Sequence, residues 1–172
     1  IKLDQLVRCN LIDQILLSTD DQKVIDISKQ FGDKVRIDLR PPELASSDAK
    51  TDDLIKYVGS VIKEPHILWT HVTSPFTNEA IYTKAIQDYF RVLNSDENDS
   101  LLSVTLLRTH IWKKEGIPVN YDRKTEKWPR SQFVEPLMEV NSAIFINSKV
   151  NYMQLEDRIG LKPYFFEMDQ IE

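Results

Sequence analysis

Gln14-Ile15-Leu16-Leu17-Ser18-Thr19-Asp20-Asp21 is the stretch whose reading decides the fold. Its short apolar run stops at polar turn residues. Val24, Ile27 and Phe31 then recur at helical spacing up to Gly32, a residue suited to ending a helix. Strand, turn and helix in this order predict one unit of an alternating α/β chain, and the unit repeats outward. Val35 to Leu39 reads as the next strand. Leu54, Ile55, Val58, Val61 and Ile62 mark a helix entered through the polar stretch Ser46 to Asp53, and Ile67-Leu68-Trp69 is a third strand. Ile81, Tyr82, Ala85, Ile86, Tyr89, Phe90 and Leu93 form the apolar stripe of a third helix. Such alternation favours a largely parallel sheet with helices on both faces, and ligands bind such sheets in the loops at the carboxyl ends of the strands.

Beyond the polar loop Asn94 to Asp99 and a strand from Leu101 to Leu107, the pattern changes. Residues 108–140 carry no helical stripe. They hold Trp112, Trp128, Pro118, Pro129 and Pro136, which predicts an extended or hairpin-like arm whose aromatic residues pack against something, a partner subunit being one candidate. Within it, Tyr121 to Lys127 reads as a charged, solvent-facing turn. Ala143 to Ile146 and Tyr164 to Phe166 return to strand character. The 172 residues, 41% of them hydrophobic, are read as one domain with its own core, spanning 1–172.

A formal charge of -5 and the absence of basic clusters argue against nucleic acid as the main partner. No segment approaches the roughly 20 apolar residues of a membrane span. The single Cys9 can form no internal disulfide, and a cytoplasmic protein fits best, although the chain opens at Ile1 rather than Met and the lack of a signal peptide there weighs little. One Cys and three scattered histidines, His66, His71 and His110, supply no zinc pattern. No Gly-x-Ser-x-Gly turn marks a hydrolase, and isolated glycines make no phosphate-cradling loop.

The polar loops carry the candidate chemistry. Arg40, followed by Pro41 and Pro42, offers a planar fork of donors to a nucleobase carbonyl or a phosphate, or else pairs with Glu43 or Asp48. Thr73-Ser74-Pro75 places hydroxyl and backbone N–H groups at the carboxyl edge of the sheet, or simply caps the helix beginning near Glu79. His71 ends the preceding strand at the same edge, where an isolated histidine is commonly structural. Arg130, Gln132 and Asn141 suit a carboxylate flanked by hydroxyls, or a solvated arm and a turn-holding asparagine.

Taken in order, Ser18-Thr19-Asp20, Arg40-Pro41-Pro42-Glu43-Leu44-Ala45, Thr73-Ser74-Pro75, Arg130-Ser131-Gln132 and Asn141-Ser142-Ala143-Ile144-Phe145-Ile146 resemble the acylneuraminate cytidylyltransferase (CMP-sialic acid synthetase) family over nearly the whole chain. The branch that activates KDO is less similar, having Gly-Asp-Glu-Pro where this chain has Thr-Ser-Pro. The resemblance implies a Rossmann-like nucleotide-diphospho-sugar transferase fold with a protruding dimerisation arm. It implies attack by the anomeric hydroxyl of a nine-carbon, sialic-type sugar acid on the α-phosphorus of CTP, with Mg²⁺ neutralising the pyrophosphate. By position, Arg40 and Thr51 match residues that recognise cytosine. Arg130, Gln132 and Asn141 match residues around the sugar acid, and Lys113 falls near a basic residue of the arm, which implies a homodimer.

Several positions depart from the family pattern. His71-Val72 stand where Gln-Pro usually precede Thr-Ser-Pro, and His71 retains a hydrogen bond to offer the sugar acid. Thr77 stands where an Arg is usual, Ser47 where an Asp is expected with Asp48 next to it, and Ser142 where Gly is usual. These changes suggest a divergent branch. The family also begins with a strand and a loop of Arg, Gly, Ser and Lys that holds the triphosphate, and closes with an Asp-Ile-Asp that binds the metal. Neither is expected within this chain, so the Mg²⁺ ligands are expected outside it, no metal ligand is named, and the isolated piece is expected to be inactive. A sheet short of its first strand would show an unpaired edge or a cavity. Two other readings stay open: a non-catalytic nucleotide- or sugar-binding module, and an α/β interaction domain whose arm serves association only.

Overall fold

The computed structural model describes residues 1–46 and 48–169. Ser47 lies outside the described residues, as do residues 170–172. Helix α1 (Lys2–Arg8) leads into strand β1 (Ile15–Thr19), then α2 (Gln22–Ser28), a 3₁₀ segment (Lys29–Lys34) and β2 (Val35–Leu39). A short α3 (Pro42–Ala45), α4 (Thr51–Val61), β3 (His66–Trp69) and α5 (Glu79–Asn94) follow. The chain continues through β4 (Ser100–Leu107), a 3₁₀ turn (Ser131–Phe133), β5 (Leu137–Ser148), α6 (Lys149–Leu155) and β6 (Pro163–Glu167).

β1 and β2 form one parallel pair, and the other strands form a sheet in the order β3-β5-β4-β6. β5 is antiparallel to β3 and β4, whereas β6 is parallel to β4. The largely parallel α/β sheet expected from the alternation therefore holds in β1 with β2 and in the common direction of β3, β4 and β6. β5 runs the other way because the chain returns from β4 as a long hairpin, pairing Leu107 with Leu137.

Alternate residues of the strands serve different cores, as the period of a strand requires. On one face, Leu68, Ile144 and Ile146 pack with Leu6 of α1 and with Tyr82, Ala85, Ile86 and Tyr89 of α5. On the other, Ile67 joins Ile55 and Val58 of α4 and Tyr152 of α6, while Trp69 bridges to Phe145, Leu102 and Val104. Helices thus cover both faces.

The structure differs from the sequence reading in α2. Its buried residues are Ile25 and Ser28, whereas Ile27 is 61% exposed. Ser28 occupies a core position at no hydrogen-bond cost because its hydroxyl donates to the Ile25 carbonyl, so the buried face is not the most apolar one. Gly32 sits at φ 66° within the 3₁₀ segment, beyond the end of α2 rather than capping it.

Between β1 and β3, a cleft of about 550 Å³ separates the two sheets. Ile15, Leu17, Leu54, Ile67 and Leu68 are among its walls. Among the described residues, neither the outer edge of β1 nor that of β3 has a strand partner.

Candidate functional site

Arg40 follows β2, and its guanidinium turns back to β1, with Nη2 donating to the Ser18 carbonyl at 2.7 Å and Nε to the Ser18 hydroxyl at 3.3 Å. Neither Glu43 nor Asp48 pairs with it among the described residues, so the ion pair weighed from sequence does not form. The side chain lines the cleft at the carboxyl end of the β1–β2 pair. Pro41 and Pro42 open α3, where proline's missing N–H costs nothing. Thr51 is the first residue of α4 and is exposed. Nearby, the Tyr57 hydroxyl donates to Asp38 Oδ1 at 2.8 Å, and burial raises its pKa, with this carboxylate adding to the effect.

On the opposite wall, β3 ends at Trp69, and Thr70 and His71 continue along the rim. The Thr70 hydroxyl donates to the Ala143 carbonyl and meets the Tyr82 hydroxyl, each at 2.8 Å. His71 points to the other face of the sheet. Its Nε2 lies 3.1 Å from Nη1 of Arg158, and its ring is tilted against Trp69. Burial, and then the Arg158 charge, hold the imidazole pKa below its ordinary value.

Thr73-Ser74-Pro75 forms a turn, with Ser74 N bonded to the His71 carbonyl and Thr77 N to the Ser74 carbonyl. This turn does not cap α5. Asn78 does, accepting from the N–H groups of Ala80 and Ile81. The turn is instead held by Lys2, whose ammonium donates to the carbonyls of Ser74 and Thr77 and to the Tyr82 hydroxyl. Burial lowers the Lys2 pKa to about 8. Thr77 itself is fully buried.

Asn141 occupies a bulge of β5, where the pairing jumps from Leu102 opposite Phe145 to Val104 opposite Val140. Ser142 adopts φ 60° at its centre, the left-handed region that a glycine would enter without strain. The Asn141 side chain holds the bulge: Oδ1 accepts from the Ser103 hydroxyl and the Ala143 N–H, and Nδ2 donates to the Thr105 hydroxyl. This is the turn-holding role weighed for it.

Arg130 and Gln132 are exposed on the arm, at the 3₁₀ turn. The arm packs largely on itself. Asn120, 2% exposed, accepts from Ile111 N–H and donates to the carbonyls of Thr109 and Glu135. Trp112, Trp128, Tyr121 and His110 form one aromatic cluster, and the Arg123 guanidinium lies 5.2 Å from the Trp112 ring centre. The stretch read as a plain charged turn thus contributes Tyr121 and Arg123 to this cluster. Trp128 remains 66% exposed.

The structure therefore brings Arg40 and His71 to one cleft, while Thr51, Asn141 and the Arg130 and Gln132 pair stand elsewhere, with no hydrogen bond joining these sets among the described residues. Two cations that bond to residues beyond β3 escaped the sequence reading. Lys2 sits before any recognisable pattern, and Arg158 lies in a loop of charged and small residues that reads as solvent-facing surface.

Among the described residues, no group of three His, Cys, Asp or Glu side chains could hold a metal ion. Among the described residues, no helix is long and apolar enough to cross a membrane.

Comparison with solved structures places the fold. A 4-diphosphocytidyl-2C-methyl-D-erythritol synthase from Anaerococcus prevotii DSM 20548 superposes with a TM-score of 0.68 at 13% identity, covering 98% of this chain and 75% of that one. A CMP:2-keto-3-deoxy-manno-octonic acid synthetase, solved with CTP, gives a TM-score of 0.58 at 13% identity, covering 96% and 76%. The architecture is of the Rossmann-like type found in nucleotide-diphospho-sugar transferases. In sequence, the chain is 24% identical over 174 aligned residues to an N-acylneuraminate cytidylyltransferase of Streptococcus agalactiae serotype V (strain ATCC BAA-611 / 2603 V/R). It is 23% identical to the protein of the same name from serotype III (strain NEM316). The alignments cover 96% of this chain and only 40% of those relatives. The cytidylyltransferase family model matches residues 1–168, and the chain belongs to that family.

Proposed function

We propose that this chain serves, within its whole protein, a CTP-dependent cytidylyl transfer to a sialic-type sugar acid. The observation that carries this reading is the family match along residues 1–168, joined by the sequence likeness to proteins named N-acylneuraminate cytidylyltransferase. In the proposed reaction the anomeric hydroxyl oxygen bonds to the α-phosphorus of CTP. The bond from that phosphorus to the bridging oxygen of the β-phosphate breaks, and pyrophosphate leaves with the electron pair. The hydroxyl proton is released to solvent.

Such a transfer asks the protein chiefly for positioning and for positive charge. Arg40 and Thr51 are assigned to the cytosine, and the bonds of Arg40 to Ser18 would pre-set its fork at the cleft rim. His71, Arg130, Gln132 and Asn141 are assigned to the sugar acid. Arg130 and Gln132 stand on the exposed arm, so we assign them to a neighbouring subunit's site in a homodimer. No step is routed through Mg²⁺.

Pyrophosphate release by the intact gene product carrying residues 1–172, given CTP and sialic-type acids, tests the reading. Release dependent on both substrates supports it. CTP binding without release from any acid would favour a non-catalytic binding module instead.

A further inference from the structure

Arg158, in the loop between α6 and β6, is a half-buried cation that makes no direct ion pair among the described residues. Its guanidinium lies 3.8 Å from the ring centre of Phe145 and 5.6 Å from that of Trp69. Among the described residues no carboxylate comes within ion-pairing distance of it. The adjacent Asp157 accepts the Ile159 N–H on Oδ1 and favours the charged guanidinium through space without pairing with it. Burial disfavours the charged form of Arg158, so the position costs stability unless something repays it.

Its one hydrogen-bond partner among the described residues is His71. A guanidinium only donates, so His71 Nε2 must accept, which leaves the imidazole neutral with its proton on Nδ1. The pair consequently presents donors alone: the remaining N–H groups of a planar fork stacked on Phe145, and one imidazole N–H. Stacking on the ring fixes the plane of that fork. It stands beside the carboxyl end of β3, the edge at which α/β sheets bind ligands. A planar, rigid, donor-only cation suits a planar bidentate anion, and a carboxylate is that anion.

We propose that Arg158, held in place by His71, binds the carboxylate of the sugar acid. The assignment rests on the sugar-acid reading above and gives its substrate a named anchor. The indole of Trp69 and the ring of Phe145 act as the shelf that holds the fork.

Two measurements test it together. In the first, Arg158→Met and Arg158→Lys are compared with wild type for KM of the sugar acid, KM of CTP and kcat. Met preserves contact with the shelf and removes the charge; Lys keeps the charge without the fork. The sugar-acid KM should rise at least about tenfold in Arg158→Met and less in Arg158→Lys, with the CTP KM unchanged. In the second, the His71 imidazole nitrogens are followed by NMR during titration with N-acetylneuraminic acid and, separately, its methyl ester. The acid should shift them and the ester should not.

A sugar-acid KM within twofold of wild type, or a rise confined to CTP, would overturn the proposal while leaving the transferase reading intact. A lowered melting temperature with unchanged KM would reduce Arg158 to a latch of its loop. Shifts induced by the acid in a protein without turnover would keep the carboxylate site and remove the transferase reading. No turnover and no shift would remove both.

Discussion

His71 is bonded to a group that cannot accept a hydrogen bond, so protonating its Nε2 would break the contact with Arg158 and set two cations side by side. Burial and the Arg158 charge both lower its pKa in the folded protein from 6.5. The sign follows from linkage. Above pH 6.5 the ring is neutral in both states and its contribution is complete. As pH falls from 6.5 toward the folded pKa, the unfolded chain takes up the proton first and stability is lost. His66, also lowered by burial, adds to the same acid-side loss, so the test is a difference. Urea midpoints between pH 7.5 and 5 should fall more steeply for wild type than for His71→Gln, and equal slopes would contradict the assigned pairing. At this scale only the positions of Arg40 and His71 just beyond strands were legible in the sequence, from the strand-like stretches that precede them. Arg158 was not, since nothing in Glu156-Asp157-Arg158 distinguishes a guanidinium stacked on Phe145 from one in water.

Among the elements, the arm between β4 and β5 is held at its base by one buried amide. Asn120 ties the carbonyls of Thr109 and Glu135 to the N–H of Ile111 and so joins both limbs of the excursion. Removing a multiply bonded buried amide leaves backbone groups without partners. Asn120→Ala should therefore destabilise the protein by about 2 kcal/mol and raise the mobility of the Trp112 and Trp128 cluster. A melting temperature equal to wild type, with unchanged tryptophan anisotropy, would contradict this. The strands and α5 were readable from period alone, because Tyr82, Ala85, Ile86 and Tyr89 repeat on one face and are buried there. The bulge at Asn141-Ser142-Ala143 was not readable. It depends on side-chain bonds from Ser103 and Thr105 of another strand, which local patterning does not carry. The face of α2 was misread for a similar reason, a buried serine satisfied by its own helix.

For the whole molecule, the consequence of the fold is uneven stability. β4 is paired on both sides, by β5 and β6, and is buried along most of its length. The β1–β2 pair has no further strand partner among the described residues, and a cleft lies beside β1. Amide exchange should therefore be at least about tenfold faster in β1 and β2 than in β4 and β5, because the pair can open locally without global unfolding. Uniform protection would contradict that picture. Fold class was legible at this scale because alternation of strand and helix is a global pattern. The reversal of β5 became visible only with the arm folded back as a hairpin.

The direct test of the central claim is pyrophosphate release, followed with time, by the intact gene product carrying residues 1–172, with CTP and a panel of sialic-type acids. Release that requires both CTP and one acid, in equal amount to the CMP-sugar acid formed, is the predicted result. No release with any acid, or release that continues unchanged when the acid is left out, would contradict it.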